Sequence, residues 1–315
     1  MAYLHEHKDF KSLIAIVADE MSIDEGLVEK DYWIMHTLYG LKKQGFQFEL
    51  KGGTSLSKGY QIIDRFSEDI DIHISPEPKL NVIEDPRKIK ESHIDSRAIF
   101  FDWLVENIKI DGIISQERDH EFDNATLTSG GIRLHYENKY DLVDGIKEGI
   151  LLEAGFDTVT PNTKLTISSW ALDRAKQTEG IELTNNTAVD IICYDPGYTF
   201  VEKLQTIATK YRQEQTDGIT RKNYMRQYYD LYCLLKTNHV LEFIKTDAYQ
   251  VHKMARFPKA DYIIPIAENQ AFLLSDPGQR ELFTKRYLST SKLYYKGQPE
   301  FEELLTTIHK HIHLL

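Results

Sequence analysis

The sequence predicts an α/β fold on a mixed sheet, followed from about residue 197 by a helical lobe, and three observations carry that expectation. Short alternating or apolar runs recur between residues 46 and 193. A strand, a glycine bend and a second strand follow one another within residues 46–74, the opening unit of an α/β site. Beyond Tyr198 the apolar residues fall at helical spacing instead. The expected division is an α/β core with its leading helix at 1–196 and a helical lobe at 197–315.

Ser22 is placed to cap a helix over 23–43, where Leu27, Trp33, Ile34, Thr37, Leu38 and Leu41 recur at helical intervals and Gln44-Gly45 ends the run. Residues 46–50 alternate Phe-Gln-Phe-Glu-Leu, the pattern of a strand with one wet face. Gly52-Gly53 breaks that strand, and 54–63 follows as a short helix or helical turn. Residues 69–74 (Asp-Ile-Asp-Ile-His-Ile) then place Asp69, Asp71 and His73 on one face and three isoleucines on the other. The polar, proline-bearing stretch 76–90 reads as a loop or the edge of an insertion, and helical periodicity returns over 96–109 through Ile99, Phe100, Trp103, Leu104 and Ile108. Strand-like pieces follow at 112–115, 131–136, 149–156, 164–170 and 189–193. Phe200, Leu204, Ile207 and Ala208 form one buried stripe in the lobe, and a tyrosine-rich helix is expected near 223–236. There is no internal repeat and no low-complexity tract.

Composition narrows the classes of function. The 38 Lys and Arg against 49 Asp and Glu leave a formal charge of −11, which argues against indiscriminate coating of nucleic acid while leaving room for a local basic surface. At 41% hydrophobic and 28% charged residues the chain is too apolar to be disordered. No run approaches the ~18 apolar residues of a membrane span, and the N-terminus lacks the pattern of a secretory signal, so the expectation is a cytoplasmic protein without a membrane partner. Cys193 and Cys233 have no zinc-type spacing and read as reduced thiols.

The chemistry concentrates in residues 51–74, KGGTSLSKGYQIIDRFSEDIDIHI. Asp69 and Asp71, two apart on a strand, project the same way about 6–7 Å apart. Their oxygens can converge on a divalent cation, which would also relieve their repulsion. Hard oxygen ligands in an incomplete set suit Mg²⁺ or Mn²⁺, whose remaining positions go to water and phosphate. Gly52 and Gly53 let the backbone approach a ligand closely, and the amides of Thr54, Ser55 and Leu56 open the next helix as an anion site. Lys51 and Lys58 flank this cradle, and Arg65 and Ser67 lie between it and the aspartate strand, as further substrate-binding candidates. The chain contains no Walker A loop, no GxGxxG fingerprint, no GxSxG elbow and no HExxH.

KGGTSLSKGY followed by RFSEDIDI resembles the first motif of the AbiEii/AbiGii-type nucleotidyltransferase toxins, a branch of the polymerase-β-like nucleotidyltransferase superfamily that includes the MenT-type toxins. Glu29-Lys30-Asp31-Tyr32-Trp33 is similar to the helix before that motif. Phe200-Val201-Glu202-Lys203-Leu204 is similar to the family's lysine-bearing helix, and Tyr228-Tyr229-Asp230-Leu231-Tyr232 to its final aspartate motif. The resemblance implies a polymerase-β-like core, with Asp69 and Asp71 as metal-binding carboxylates and Gly53, Thr54 and Ser55 holding the nucleotide's phosphates. It also implies a third carboxylate from a neighbouring strand. Glu153, which interrupts the apolar run 149–156, is favoured because an ionised side chain there is costly unless paired or metal-bound. It departs from the family's usual aspartate, and Glu137, Asp141 and Asp157 stay open.

Lys203 by itself reads as a surface lysine whose stem covers apolar neighbours; the resemblance gives it the task of neutralising triphosphate charge. Asp230 either pairs with Arg226, four residues earlier, or fixes Lys203 or Arg226 in the site. Between Lys203 and Arg226 the basic residues Lys203, Lys210, Arg212, Arg221, Lys222 and Arg226 outnumber Glu214 and Asp217. With Tyr211, Tyr224, Tyr228 and Tyr229 they form either a phosphate-tracking patch with stacking rings or a solvated face over a tyrosine core. His309, His311 and His313 are left as a surface feature. The function expected is metal-dependent transfer of a nucleoside monophosphate from an NTP to RNA, with the 3′ end of tRNA implied by the resemblance, by the toxin of a toxin–antitoxin pair with a cognate antitoxin. A non-catalytic nucleotide-binding regulator and a metal-dependent RNase are the alternatives.

Overall fold

The computed structural model describes residues 1–141, 143, 145–157, 159–178, 180–221 and 224–315. The chain forms two compact units, residues 1–59 with 66–194, and residues 60–65 with 195–315. Residues 60–63, expected to continue the helix after the diglycine, therefore belong to the second unit.

The first unit opens with helix α1 (Phe10–Met21), which the sequence reading did not anticipate, its buried stripe being Phe10, Ile14, Val17 and Ala18. Ser22 does not cap the next helix as expected. It sits in the left-handed region (φ 55°) and ends α1, while Asp24 caps α2 (Glu25–Lys43) by accepting the Gly26 N–H at 2.8 Å. An aspartate two residues later is the better-placed acceptor for the first orphan amides.

Among the described residues one sheet contains strands β1 (Phe48–Lys51), β2 (Asp69–Ile74), β3 (Ile113–Asp119), β4 (Ser129–Tyr136), β5 (Ile150–Gly155), β6 (Asn162–Ile167) and β7 (Ala188–Tyr194), in the order β3-β4-β5-β2-β1-β7-β6. It is mixed: β2 runs parallel to β5 and antiparallel to β1, and β1 runs parallel to β7. Leu50, Ile70, Ile72, Ile132 and Leu152 are fully buried on the dry face. Helix α2 covers part of that face, with Trp33 stacked on Tyr136 at 4.7 Å. Beyond a single turn α3 (Gly52–Thr54), helix α4 (Glu91–Asn107) covers the rest, Phe101 lying against Gly130.

Segment 76–90 is pinned rather than loose. The buried Arg97 guanidinium donates to the carbonyls of Ile83, Asp85, Lys88 and Thr126 at 2.7–2.9 Å, using a fork of donors to satisfy backbone that has no ladder of its own. The expected strand piece 164–170 stops at Ile167, because Ser169 caps α5 (Trp170–Ala175) by accepting the Leu172 N–H at 3.1 Å.

The second unit is helical: α6 (Pro196–Asp217), α7 (Arg226–Leu234), α8 (Asn238–Phe243), α9 (Asp247–Arg256), α10 (Lys259–Tyr262), α11 (Gln270–Leu273), α12 (Pro277–Leu288) and α13 (Phe301–His311). The stripe Phe200, Leu204, Ile207 and Ala208 is buried as its spacing requires. Tyr224, Tyr228 and Tyr229 are buried too, which overturns the stacking-ring reading for these three, since a ring inside the core offers no face to a base; Tyr211 is half-buried, its hydroxyl bonded to Gln279 at 2.9 Å. Their hydroxyls are used internally, Tyr224 donating to the Ile207 carbonyl at 3.0 Å and Tyr228 to the Ala271 carbonyl at 2.7 Å. Of the basic residues between them, Lys222 lies outside the described residues. His309 is half-buried and bonded to the Phe272 carbonyl at 2.9 Å, so it belongs to the packing of α13 rather than to the surface. Among the described residues no helix is long and apolar enough to cross a membrane.

Candidate active site

The first unit brings the predicted carboxylates to one sheet face. Register places Asp71 opposite Lys51 on β1 and opposite Glu153 on β5, with Asp69 opposite Leu151. Residues paired across adjacent strands share a face about 4.8 Å apart, so Asp69, Asp71 and Glu153 lie together on the wet side. Burial, then the charges of Asp71 and Asp69, push the Glu153 carboxyl up to about 7, against the pull of Lys51 and a hydrogen bond from the Ser129 hydroxyl at 3.3 Å. His73, on the same face, is tied to Glu49 at 2.9 Å. The other third-carboxylate candidates sit differently. Asp157 pairs with Lys51 at 3.5 Å, Glu137 with Lys139 at 2.9 Å on the surface, and Asp141 is exposed.

The glycine turn is built around Asp71. Gly52 has φ +70°, and the Asp71 carboxylate occupies the space a Cβ would need. The Thr54 hydroxyl donates to the Asp69 carbonyl at 2.7 Å and so staples the turn to β2. Ser55 is fully buried beside Cys193, whose thiol burial pushes up to about 12. The Thr54 hydroxyl is therefore spent on the fold, and the Ser55 hydroxyl is enclosed within it. The Ser55 N–H is spent as well, on the Gly52 carbonyl, which leaves the amides opening the turn, at Gly53 and Thr54, as the donors for an anion. Lys58 is held by Asp31 at 2.8 Å and lies over the Trp170 ring at 4.3 Å. Ser67 is half-buried on the approach to β2.

Sequence reasoning missed what α2 does here. Glu29, Lys30 and Asp31 are all buried, and each is spent on a different element. The Glu29 carboxylate accepts the N–H groups of Lys139 and Tyr140 at 2.9 and 3.1 Å. The Lys30 ammonium bonds the Lys147 carbonyl, and burial lowers it to about 8 against the opposing pull of Glu68 and Asp69. Asp31 holds Lys58 and accepts the Trp170 N–H at 2.9 Å. Glu68, also buried, accepts the Lys147 N–H at 3.2 Å. The signal was available: three consecutive ionisable residues in a helix cannot all stay on its wet face.

In the second unit Asp230, fully buried, receives Arg65 at 2.6 and 2.7 Å and Lys203 at 3.0 Å. Burial alone would raise its carboxyl, but Arg65 and Lys203 hold it below its usual range. Asp230 thus fixes Lys203, one of the two roles the sequence allowed, and it also fixes Arg65, which the sequence did not foretell. Arg226 is buried one turn before Asp230 on α7.

Among the described residues no three His, Cys, Asp or Glu side chains are gathered closely enough to hold an ion as they stand. The donor set nonetheless fits a hard divalent cation in chemical type, since Asp69, Asp71 and Glu153 offer only oxygen and the Glu153 carboxyl is raised by burial and by the charges of Asp71 and Asp69.

Over residues 36–307 the chain matches the family described as nucleotidyl transferase AbiEii toxin, type IV toxin–antitoxin system. No curated protein sequence matches it. Among solved structures it is similar to MenT4, a nucleotidyltransferase toxin from Mycobacterium tuberculosis H37Rv, with 14% identity, 95% of this chain and 94% of that one covered, and a TM-score of 0.49. It is also similar to an antigenic nucleotidyltransferase-like protein from Paracoccidioides brasiliensis, with 11% identity, 76% and 96% covered, and a TM-score of 0.35.

Proposed function

The chain belongs to the family of AbiEii nucleotidyl transferase toxins of type IV toxin–antitoxin systems, and from there we propose that it transfers a nucleoside monophosphate from an NTP to an RNA acceptor, the 3′ end of tRNA, in the cytoplasm. The observation that carries the reading is the alignment of Asp69, Asp71 and Glu153 on one sheet face beside a glycine turn that Asp71 itself shapes. In the reaction the acceptor hydroxyl gives its proton to solvent as its oxygen bonds to the α-phosphorus, the bond from that phosphorus to the bridging oxygen breaks, and pyrophosphate leaves with the electron pair.

Each residue group has a task. Asp69, Asp71 and Glu153 are the ligands we assign to Mg²⁺ or Mn²⁺. A divalent cation bound there supplies Lewis-acid activation and offsets charge on the phosphates. The amides of Gly53 and Thr54 receive phosphate oxygens, and Lys51, across the sheet from Asp71, adds positive charge on the same face. Lys203, held by Asp230, and Arg226 are assigned to phosphate charge on the strength of the family motifs. Lys58 and Arg65, also predicted to bind substrate, have support here for holding the frame, Lys58 through Asp31 and Arg65 through Asp230, while Ser67 keeps its predicted substrate role.

Incubating the purified protein with labelled NTPs, total RNA and Mg²⁺ or Mn²⁺ tests this. The expected result is label in lengthened RNA, reduced at least ~10³-fold in Asp69→Asn. Shortened RNA would point to a nuclease, and unlabelled RNA of unchanged length under both metals would refute the reading.

A further inference from the structure

In the second unit the half-buried ammonium of Lys210 lies among the cations Lys203 and Arg226. Helix α6 presents Lys203 and Lys210 on one side, because seven residues are two helical turns. Helix α7 runs antiparallel beside it, pinned at one end by Asp230 on Lys203 and just before its start by the Tyr224 hydroxyl on the Ile207 carbonyl. Arg226 lies on α7 between those two contacts, and its charge, with that of Lys203, bears on the Lys210 ammonium.

The nearby acids are committed elsewhere. Asp230 is shared by Arg65 and Lys203. Glu214, one turn beyond Lys210, is gripped by Arg286 through two bonds of 2.8 Å and by the Arg221 N–H at 2.6 Å. Arg212 and Arg221 have Asp261 and Asp217. The half-buried Lys210 ammonium has neither a hydrogen-bond acceptor nor an ion-pair partner among the described residues. Burial, with the charges of Lys203 and Arg226, holds it below its usual range, the direction of a cation lacking its counter-ion. A half-buried ammonium with no acceptor is costly in the free protein and is repaid when an anion arrives.

We propose that Lys210, beside Arg226, is a phosphate-binding residue that receives a phosphate group of a substrate. The chemistry is a tetrahedral oxyanion meeting an ammonium and a guanidinium. Two sources supply it, the triphosphate of the nucleotide and a phosphodiester of the acceptor strand. The inference rests on the nucleotidyl-transfer reading only for what brings the phosphate.

The test needs neither turnover nor metal. Affinity for inorganic tripolyphosphate is measured by calorimetry, and affinity for a short labelled RNA by anisotropy over a salt series, on the full chain and on Lys210→Gln. A loss of about tenfold for tripolyphosphate alone assigns the site to the nucleotide. A similar loss for RNA alone, with a shallower salt slope, assigns it to the acceptor. Lys210→Arg retains binding in either case, and melting curves of both variants guard against misfolding. Affinities unchanged within twofold for both probes overturn the proposal, as does a wild-type chain that binds neither. Because nothing here depends on transfer, these outcomes stay distinct from failure of the labelling experiment.

Discussion

At position 52 only a glycine serves, because the backbone is left-handed and the Asp71 carboxylate fills the place of a side chain. The diglycine and the Asp-x-Asp alternation were legible because both are written in local pattern: one is a break, the other a period of two. What Thr54 and Ser55 do was not legible. A hydroxyl at the head of a turn looks the same in sequence whether it faces a ligand or, as here, the Asp69 carbonyl and Cys193. The state of Glu153 depends on its neighbours across the sheet, and it leads to a pH prediction. Its folded value of about 7 lies above the ordinary 4.5, so the folded state holds that proton more tightly. The associated stability is complete below about pH 4.5 and is lost as pH rises through about 7. Without metal, wild type should therefore lose about 1–3 kcal/mol over that interval relative to Glu153→Gln. Denaturation curves at pH 5 and 8 check this, and parallel losses in both proteins would contradict it.

At the scale of elements, the strands and the long helix α2 followed from periodicity, whereas helix α1 and the roles of buried charge did not. Glu29, Lys30 and Asp31 link α2 to the 139–140 backbone, to the Lys147 carbonyl and to Lys58 with Trp170, contacts more than a hundred residues apart in every case but Lys58. Tyrosines on α7 read equally well as stacking rings or as core until their burial was known. Asp230 is the clearest case for energetics, since it pairs with both Arg65 and Lys203 inside the helical unit. Removing one partner of a buried ion network strands the others, at a cost of about 3–5 kcal/mol. Asp230→Ala should lower the melting temperature by roughly 6–15 °C, and a change under about 2 °C would show that Asp230 carries little of the unit's stability.

At the scale of the whole chain, the charge of −11 says little about where the chemistry lies. One sheet face of the first unit gathers three acids beside the glycine turn, and in the second unit the cations Lys203, Lys210 and Arg226 gather, with Asp230 bound to Lys203. The mixed α/β core and the helical lobe were readable because a change of hydrophobic period marks them. The interruption at residues 60–65 was not, because a chain that crosses between compact units leaves no compositional mark. If Asp69, Asp71 and Glu153 together hold a divalent cation with the nucleotide, calorimetric titration of Mn²⁺ into wild type, in the presence of a non-hydrolysable NTP analogue, gives saturable binding, and Asp71→Asn loses at least ~100-fold in affinity. Equal affinity in the two proteins would rule out that shared metal site.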